Sequence, residues 1–66
     1  MEPLSKSQQT LRGRSVLDMS VEQLRDWLAA CSKMELWVKP AKARRAWRLG
    51  LREAIAELDR RGEATR

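Results

Sequence analysis

The sequence has no histidine, no tyrosine and no phenylalanine, and its only cysteine is Cys31. One cysteine cannot form an internal disulfide, and without histidine it cannot hold a zinc ion. The same shortage leaves few side chains for acid–base or nucleophilic catalysis. We therefore expect a protein that is not an enzyme and that carries no metal or cofactor.

Long hydrophobic runs are also missing. No stretch approaches the roughly 18 apolar residues that a membrane-spanning helix needs, so a membrane partner is not expected. The first residues lack the apolar segment of a secretory signal peptide, and no glycine-rich phosphate loop is present. A free cysteine without an export signal favours a cytoplasmic location.

The chain is short, with 66 residues and a net charge of +5. A domain near this size buries only about 60% of the surface that its unfolded chain exposes. Because no disulfide or metal is available to staple the fold, self-association is the remaining common route to a larger core. We therefore expect a homodimer.

Residues 1–14 are mostly polar and include Pro3 and Gly13. They show no sustained helical pattern, so we predict a flexible basic tail in which Arg12 and Arg14 add contacts to an anionic partner. Residues 11–19 also alternate loosely between apolar and polar. A short strand there would pair across a dimer and aim both arginines at base edges, as in ribbon–helix–helix DNA-binding proteins. Gly13 and Ser15 weaken this alternative, which the sequence leaves open.

A first helix is predicted over residues 21–37. Ser20 and Gln23 have the spacing of a capping box, and Met19 and Leu24 have that of a hydrophobic staple. Apolar residues then recur at intervals of three and four, which is typical of a helix with one buried face. They are Leu24, Trp27, Cys31, Met34 and Val38, with Val21 and Leu28 beside them. On this stripe Cys31 is interpreted as a structural core residue.

A second helix is predicted from residue 40 to Arg61. Pro40 suits a helix start, and Gly62 suits a helix end. Glu57 has the spacing to pair with Arg60 and Arg61. The apolar stripe of this helix comprises Trp47, Leu51, Ala54 and Leu58, with Ile55 beside it.

The predicted fold is all-α, a two-helix antiparallel hairpin. The domain spans residues 15–62, and residues 63–66 are expected to fray. Because one hairpin closes only one of its apolar seams well, two copies are expected to form a four-helix bundle.

The candidate site is a basic ridge at the start of the second helix. Six cations occur between residues 39 and 52 without an acid among them, and they oppose the helix macrodipole, which favours anions there. An anionic partner would resolve this conflict, since free backbone N–H groups lie at the same end. The basic ridge consists of Lys39, Lys42, Arg44, Arg45, Arg48 and Arg52.

Two functions fit this pattern. The first is a regulatory protein that contacts the phosphates of DNA or RNA through the basic ridge. The second is an inhibitor or adaptor that docks on an acidic protein surface. Its anchors would be Leu36, Trp37 and Leu49, which fall off the apolar stripes, because exposed aromatic and arginine residues often dominate interfaces.

Overall fold

The computed structural model describes residues 4–63, and within that range it is all-helical with no strand. Three α-helices follow one another: α1 (Lys6–Thr10), α2 (Val21–Trp37) and α3 (Ala41–Arg60). A short 3₁₀ helix, Val16–Asp18, lies between α1 and α2. The two long helices, α2 and α3, pack along each other and confirm the predicted helical hairpin.

The start of α2 confirms the predicted capping box. The Gln23 N–H donates to the Ser20 hydroxyl oxygen at 3.1 Å, and the Ser20 N–H donates to the Gln23 side-chain oxygen at 2.9 Å. Met19 and Leu24 are buried in the same cluster. Local sequence chemistry therefore determines where α2 begins, and its bounds are those predicted.

The end of α3 is a Schellman motif around Gly62, whose φ is +80°. The Glu63 N–H donates to the Leu58 carbonyl at 2.9 Å, and the Gly62 N–H donates to the Asp59 carbonyl at 3.0 Å. Only glycine adopts this backbone conformation without strain. Of the predicted frayed terminus, residues 64–66 lie outside the described residues, whereas Glu63 accepts a 3.1 Å hydrogen bond from Arg25.

The core lies in two clusters between the helices. One contains Leu11, Met19, Leu24, Ala54 and Leu58, and the other contains Leu4, Ala30 and Met34. Cys31 is also fully buried. Trp47 and Leu51, which the stripe assigned to the core, are only partly buried, and Ile55 is 38% exposed.

Gly50 on α3 faces the Cys31 side chain of α2. A Cβ at this position would lie 3.2 Å from the Cys31 sulfur, tighter than most such contacts. The absence of a side chain on α3 at this position thus lets the Cys31 side chain fit between the helices. Cys31 fills space in the core, as its stripe position predicted.

The predicted flexible tail is wrong for residues 4–14. Leu4 and Leu11 are 6% and 3% exposed, and α1 begins with its own capping box at Ser5. The Gln8 amide donates to an Asp26 carboxylate oxygen at 3.0 Å, which ties α1 to α2. A five-residue helix is too short to produce a periodic signal, so the burial of two isolated leucines was missed. Residues 1–3 lie outside the described part of the chain.

The strand considered for residues 11–19 does not form either. Gly13 has φ +82°, and the backbone turns there before entering the 3₁₀ helix. The Ser15 hydroxyl accepts the Leu17 N–H at 3.2 Å and caps that helix. The ribbon arrangement for Arg12 and Arg14 is therefore wrong.

Candidate functional site

The basic ridge begins at the end of the hairpin where α2 turns into α3, which we call the turn end, and it extends to Arg52, just beyond the middle of α3. All six of its residues are exposed. Residues three or four apart on a helix are surface neighbours, so Arg45, Arg48 and Arg52 follow one another along α3. The turn between the helices places Lys39 just before this row. The structure thus places Lys39, Lys42, Arg44 and Arg45 near the turn, and the ridge continues through Arg48 to Arg52, just beyond the middle of α3.

Charge is distributed unevenly along the chain. Residues 33–52 contain seven lysines and arginines and one acid, Glu35. The remaining residues contain seven cations and eight acids. The net positive charge of the protein therefore comes from the end of α2, the turn and the first half of α3. Such a concentrated field attracts anions over a distance set by ionic strength.

Glu35 is the acid that the sequence interpretation missed. Its carboxylate accepts a hydrogen bond from the Arg48 guanidinium at 2.7 Å, across the seam between α2 and α3. Glu35 lies two residues before the end of α2, whereas Arg48 lies seven residues after the start of α3. Their distances from the turn are unequal, so position along the chain alone did not predict the pair. Because of this pair, Arg48 is partly neutralised and is a weaker candidate for partner binding than its neighbours.

The other five ridge residues differ from Arg48. Within residues 4–63, no hydrogen bond or ion pair engages their side chains, namely Lys39, Lys42, Arg44, Arg45 and Arg52. Exposed cations without a protein partner contribute little to stability. They remain accessible to an external anion.

The start of α3 lacks the stabilising features found at the start of α2. Its N-cap is Pro40, which makes no side-chain hydrogen bond, and its first turn contains no acid. By contrast, α2 begins with a capping box and has Glu22 in its first turn. The first N–H groups of α3 have no partner within the helix and add partial positive charge to the basic ridge.

The N-terminal cations occupy different positions from those predicted. The Arg12 guanidinium, just after α1, lies 5.5 Å from the centre of the Trp47 ring in a cation–π arrangement. Trp47 in turn packs against Trp27, with ring centres 5.6 Å apart. Arg14 is exposed beside Gly13. Arg12 thus has a structural contact as well as its charge.

The three predicted anchors do not form one patch. Leu36, Trp37 and Leu49 are 87%, 48% and 59% exposed. Leu36 lies opposite the buried face of α2, and Leu49 lies opposite the buried face of α3, so the two leucines point away from each other. Trp37 is different, because it lines an apolar groove at the turn end. The groove is lined by Trp37, Val38, Lys39, Pro40 and Ala43.

Cys31 provides no reactive thiol to the surface. Burial, followed by the nearby charge of Glu53, raises the pKa of the Cys31 thiol to about 12. The thiol is therefore protonated at neutral pH and is a poor nucleophile. Among residues 4–63, no group of three or more potential ligands is placed to hold a metal ion.

No family model, curated protein or solved structure matches this chain. None of the helices within residues 4–63 combines the length and apolar character needed to cross a membrane.

Proposed function

We propose that this is a non-enzymatic binding protein that contacts the phosphates of nucleic acid through the basic ridge. The observation that carries this proposal is the row of five exposed ridge cations that have no ion pair within residues 4–63. Lys39 and Lys42 would contact phosphates near the start of α3, and Arg44, Arg45 and Arg52 would contact them along the helix. Counterions released from the phosphates would supply much of the binding free energy.

This contact would position the protein without reading a base sequence. Phosphate contacts determine register and orientation, whereas base-edge contacts determine sequence preference. With α1 and its flanking turns folded onto the hairpin, Arg12 and Arg14 are not on a free arm that enters a groove. Affinity should therefore exceed sequence specificity.

An acidic protein surface is the second candidate partner. It is favoured by the exposure of Leu36, Trp37 and Leu49 beside cations. The outward-facing positions of the two leucines on different helices count against one continuous protein-binding patch. Hot-spot residues usually cluster at the centre of an interface, so nucleic acid is the better candidate.

We also propose that two copies of the chain form a homodimer. The arm of residues 4–19 supplies Leu4, Leu11 and Met19 to the core and covers part of the hairpin. Leu51 and Ile55 remain partly exposed, four residues apart on α3, and would meet the second copy. Light scattering after gel filtration at micromolar concentration should give twice 7.7 kDa. A cooperatively folded monomer at that concentration would contradict the dimer.

The phosphate contact is tested by salt dependence. Binding of a labelled duplex should weaken linearly on a log–log plot against salt, with a slope near −0.9 for each phosphate neutralised. Arg45→Ala and Arg52→Ala should each flatten that slope by about one unit. Arg25→Ala is the matched control, because Arg25 is exposed on α2 and pairs with Glu63 away from the ridge. This variant should retain the parental slope.

Two results would overturn the phosphate proposal. One is the absence of binding to any duplex or single strand at low salt. The other is an equal loss of affinity in Arg25→Ala and Arg45→Ala, which would mean that overall charge matters and the ridge does not. A partner that survives nuclease treatment in a pull-down, and that is lost with Arg45→Ala, would support the acidic protein instead.

A further inference from the structure

The groove at the turn end combines an aromatic ring with adjacent positive charge. Trp37 is the last residue of α2, and Pro40 and Ala43, which also line the groove, lie at the start of α3. Trp37 is 48% exposed, so about half of its surface is available to another molecule. Lys39 lies in the wall itself, and Lys42 immediately precedes Ala43. An occupant should thus be flat and apolar in one part and anionic in another.

The groove is already formed by the packing beneath it. The Val38 N–H donates to the Met34 carbonyl at 2.9 Å and continues the hydrogen bonding of α2 into the turn. The Val38 side chain packs against the cluster that contains Met34 and Ala30. Pro40 has a ring-restricted φ of −63°. Binding here would require little ordering of the backbone.

A continuous path of exposed residues leads from the groove along the outer face of α3 and includes cations of the basic ridge. From Lys42, in the first turn, one step of three residues reaches Arg45, and a further step of four reaches Leu49. Arg52 follows three residues later. Residues at these spacings are neighbours on a helix surface. One extended chain can therefore occupy the groove and continue along these cations.

A strand of nucleic acid has the chemistry that this surface matches. Each of its bases has a flat face and is flanked by phosphates, whereas a buried apolar peptide side chain is not accompanied by regular negative charge. Proteins that bind single strands combine a basic track with aromatic rings on which bases stack. In a duplex the bases are already stacked and paired, so none is free to enter the groove.

Resting on the proposed phosphate contact, we propose that the groove accepts one unpaired base. The base stacks on Trp37 while an adjacent phosphate lies near Lys39 and Lys42, and the strand continues past Arg45. The protein consequently prefers single-stranded nucleic acid to duplex. Stacking tolerates any base, so the preference concerns strandedness and not sequence.

The test compares a labelled oligothymidylate of about 12 nucleotides, within the usual range of site sizes, with its duplex with oligoadenylate. The single strand should bind more tightly. Trp37→Ala should weaken single-strand binding by roughly ten- to a hundredfold and leave duplex binding unchanged. Trp37→Phe should retain most of the affinity, because phenylalanine keeps an aromatic face. Leu36→Ala is the control, since Leu36 adjoins Trp37 in the chain and is exposed but does not line the groove. This variant should bind the single strand as the parent does.

Tryptophan fluorescence gives an independent measurement. Stacking should quench the emission of Trp37 on titration with the oligothymidylate, and that quenching component should vanish in Trp37→Phe. Trp27 and Trp47, which are partly buried against each other, should contribute little. Thermal unfolding followed by circular dichroism verifies that each variant is folded.

The possible failures are distinguishable. If Trp37→Ala binds single strand and duplex as the parent does, while Arg45→Ala weakens both, the base-stacking inference is wrong and the phosphate contact stands. If the parent binds neither nucleic acid, both proposals fail. If Trp37→Ala instead abolishes binding to a purified protein partner, the groove takes an apolar protein side chain and the inference is overturned.

Discussion

Both ends of the hairpin carry arginines, but those at one end pair with an acid and most of those at the other do not. At the end remote from the turn, which we call the clasp end, Arg60 and Arg61 both donate to the Glu57 carboxylate. On the basic ridge, which begins at the turn end, Arg45 and Arg52 have no ion pair within residues 4–63. Arginine guanidinium groups therefore hold the fold together at the clasp end, whereas on the basic ridge they remain accessible to a partner.

Arg61 explains why the clasp end is cohesive. Its guanidinium also donates to the Met19 carbonyl at 2.7 Å and to the carbonyls of Val16 and Leu17 at 3.3 Å. One side chain thus joins the end of α3 to the 3₁₀ helix. The hydrogen bonds from Arg60 and then Arg61 lower the pKa of Glu57 to about 2, so this carboxylate stays ionised well into acid.

The largest expected effect is loss of packing at the clasp end. Leu58 is fully buried, and Leu58→Ala should lower the free energy of unfolding by about 2–5 kcal/mol. Leu36→Ala, at the turn end, should change it by about 0.5 kcal/mol or less, since Leu36 is 87% exposed. Urea denaturation followed by circular dichroism measures both. Similar losses of stability in the two variants would contradict the expected difference in packing between the two ends.

The next largest effect is a difference in stability between the Arg61→Ala and Arg60→Ala variants. Arg61→Ala should destabilise the protein by about 1–3 kcal/mol, because the carbonyl of buried Met19 loses its donor. Arg60→Ala removes hydrogen bonds to Glu57 alone, while Arg61 still holds that carboxylate. The melting temperature should thus fall further for Arg61→Ala. An equal fall would mean that the bonds to the 3₁₀ helix add no stability.

Lowering the pH should reduce the stability of the protein by a smaller amount than Arg61→Ala does, because the Glu57 carboxylate becomes protonated. The pKa of Glu57 is lowered in the folded protein from its ordinary value of 4.5 to about 2, so its contribution is complete above pH 4.5 and is lost as pH falls toward 2. Glu57→Gln should flatten the dependence of melting temperature on pH in that window. If the variant and the parent show parallel pH curves, the Glu57 carboxylate is not the group responsible.

The smallest effect on stability is expected at the basic ridge. Arg45→Ala and Arg52→Ala should each change the free energy of unfolding by about 0.5 kcal/mol or less, because neither side chain has a partner to lose among residues 4–63. Arg48→Ala should cost slightly more, since Arg48 pairs with Glu35. Thermal melts at low salt test the order. A marked destabilisation by Arg45→Ala would show that the ridge is structural.

Much of the fold was predictable because its signals are local. Ser20, Gln23 and Gly62 act through hydrogen bonds and backbone preferences within a few residues, so the start of α2 and the end of α3 were predicted closely. The spacing of Leu24, Cys31 and Met34 predicted the buried face of α2 for the same reason. Glu57 was matched correctly with Arg60 and Arg61 because all three lie within one helical turn.

The sequence by itself determined the two long helices, their ends and the exposure of the six basic residues. Tertiary structure decided what those cations can contact, since only the folding of α2 against α3 brings Glu35 to Arg48. It also decided that Leu4 and Leu11 are buried and that Leu36 and Leu49 face apart. The physical reason is range: caps and periodicity act within a turn or two of one helix, whereas these contacts join residues that are distant along the chain.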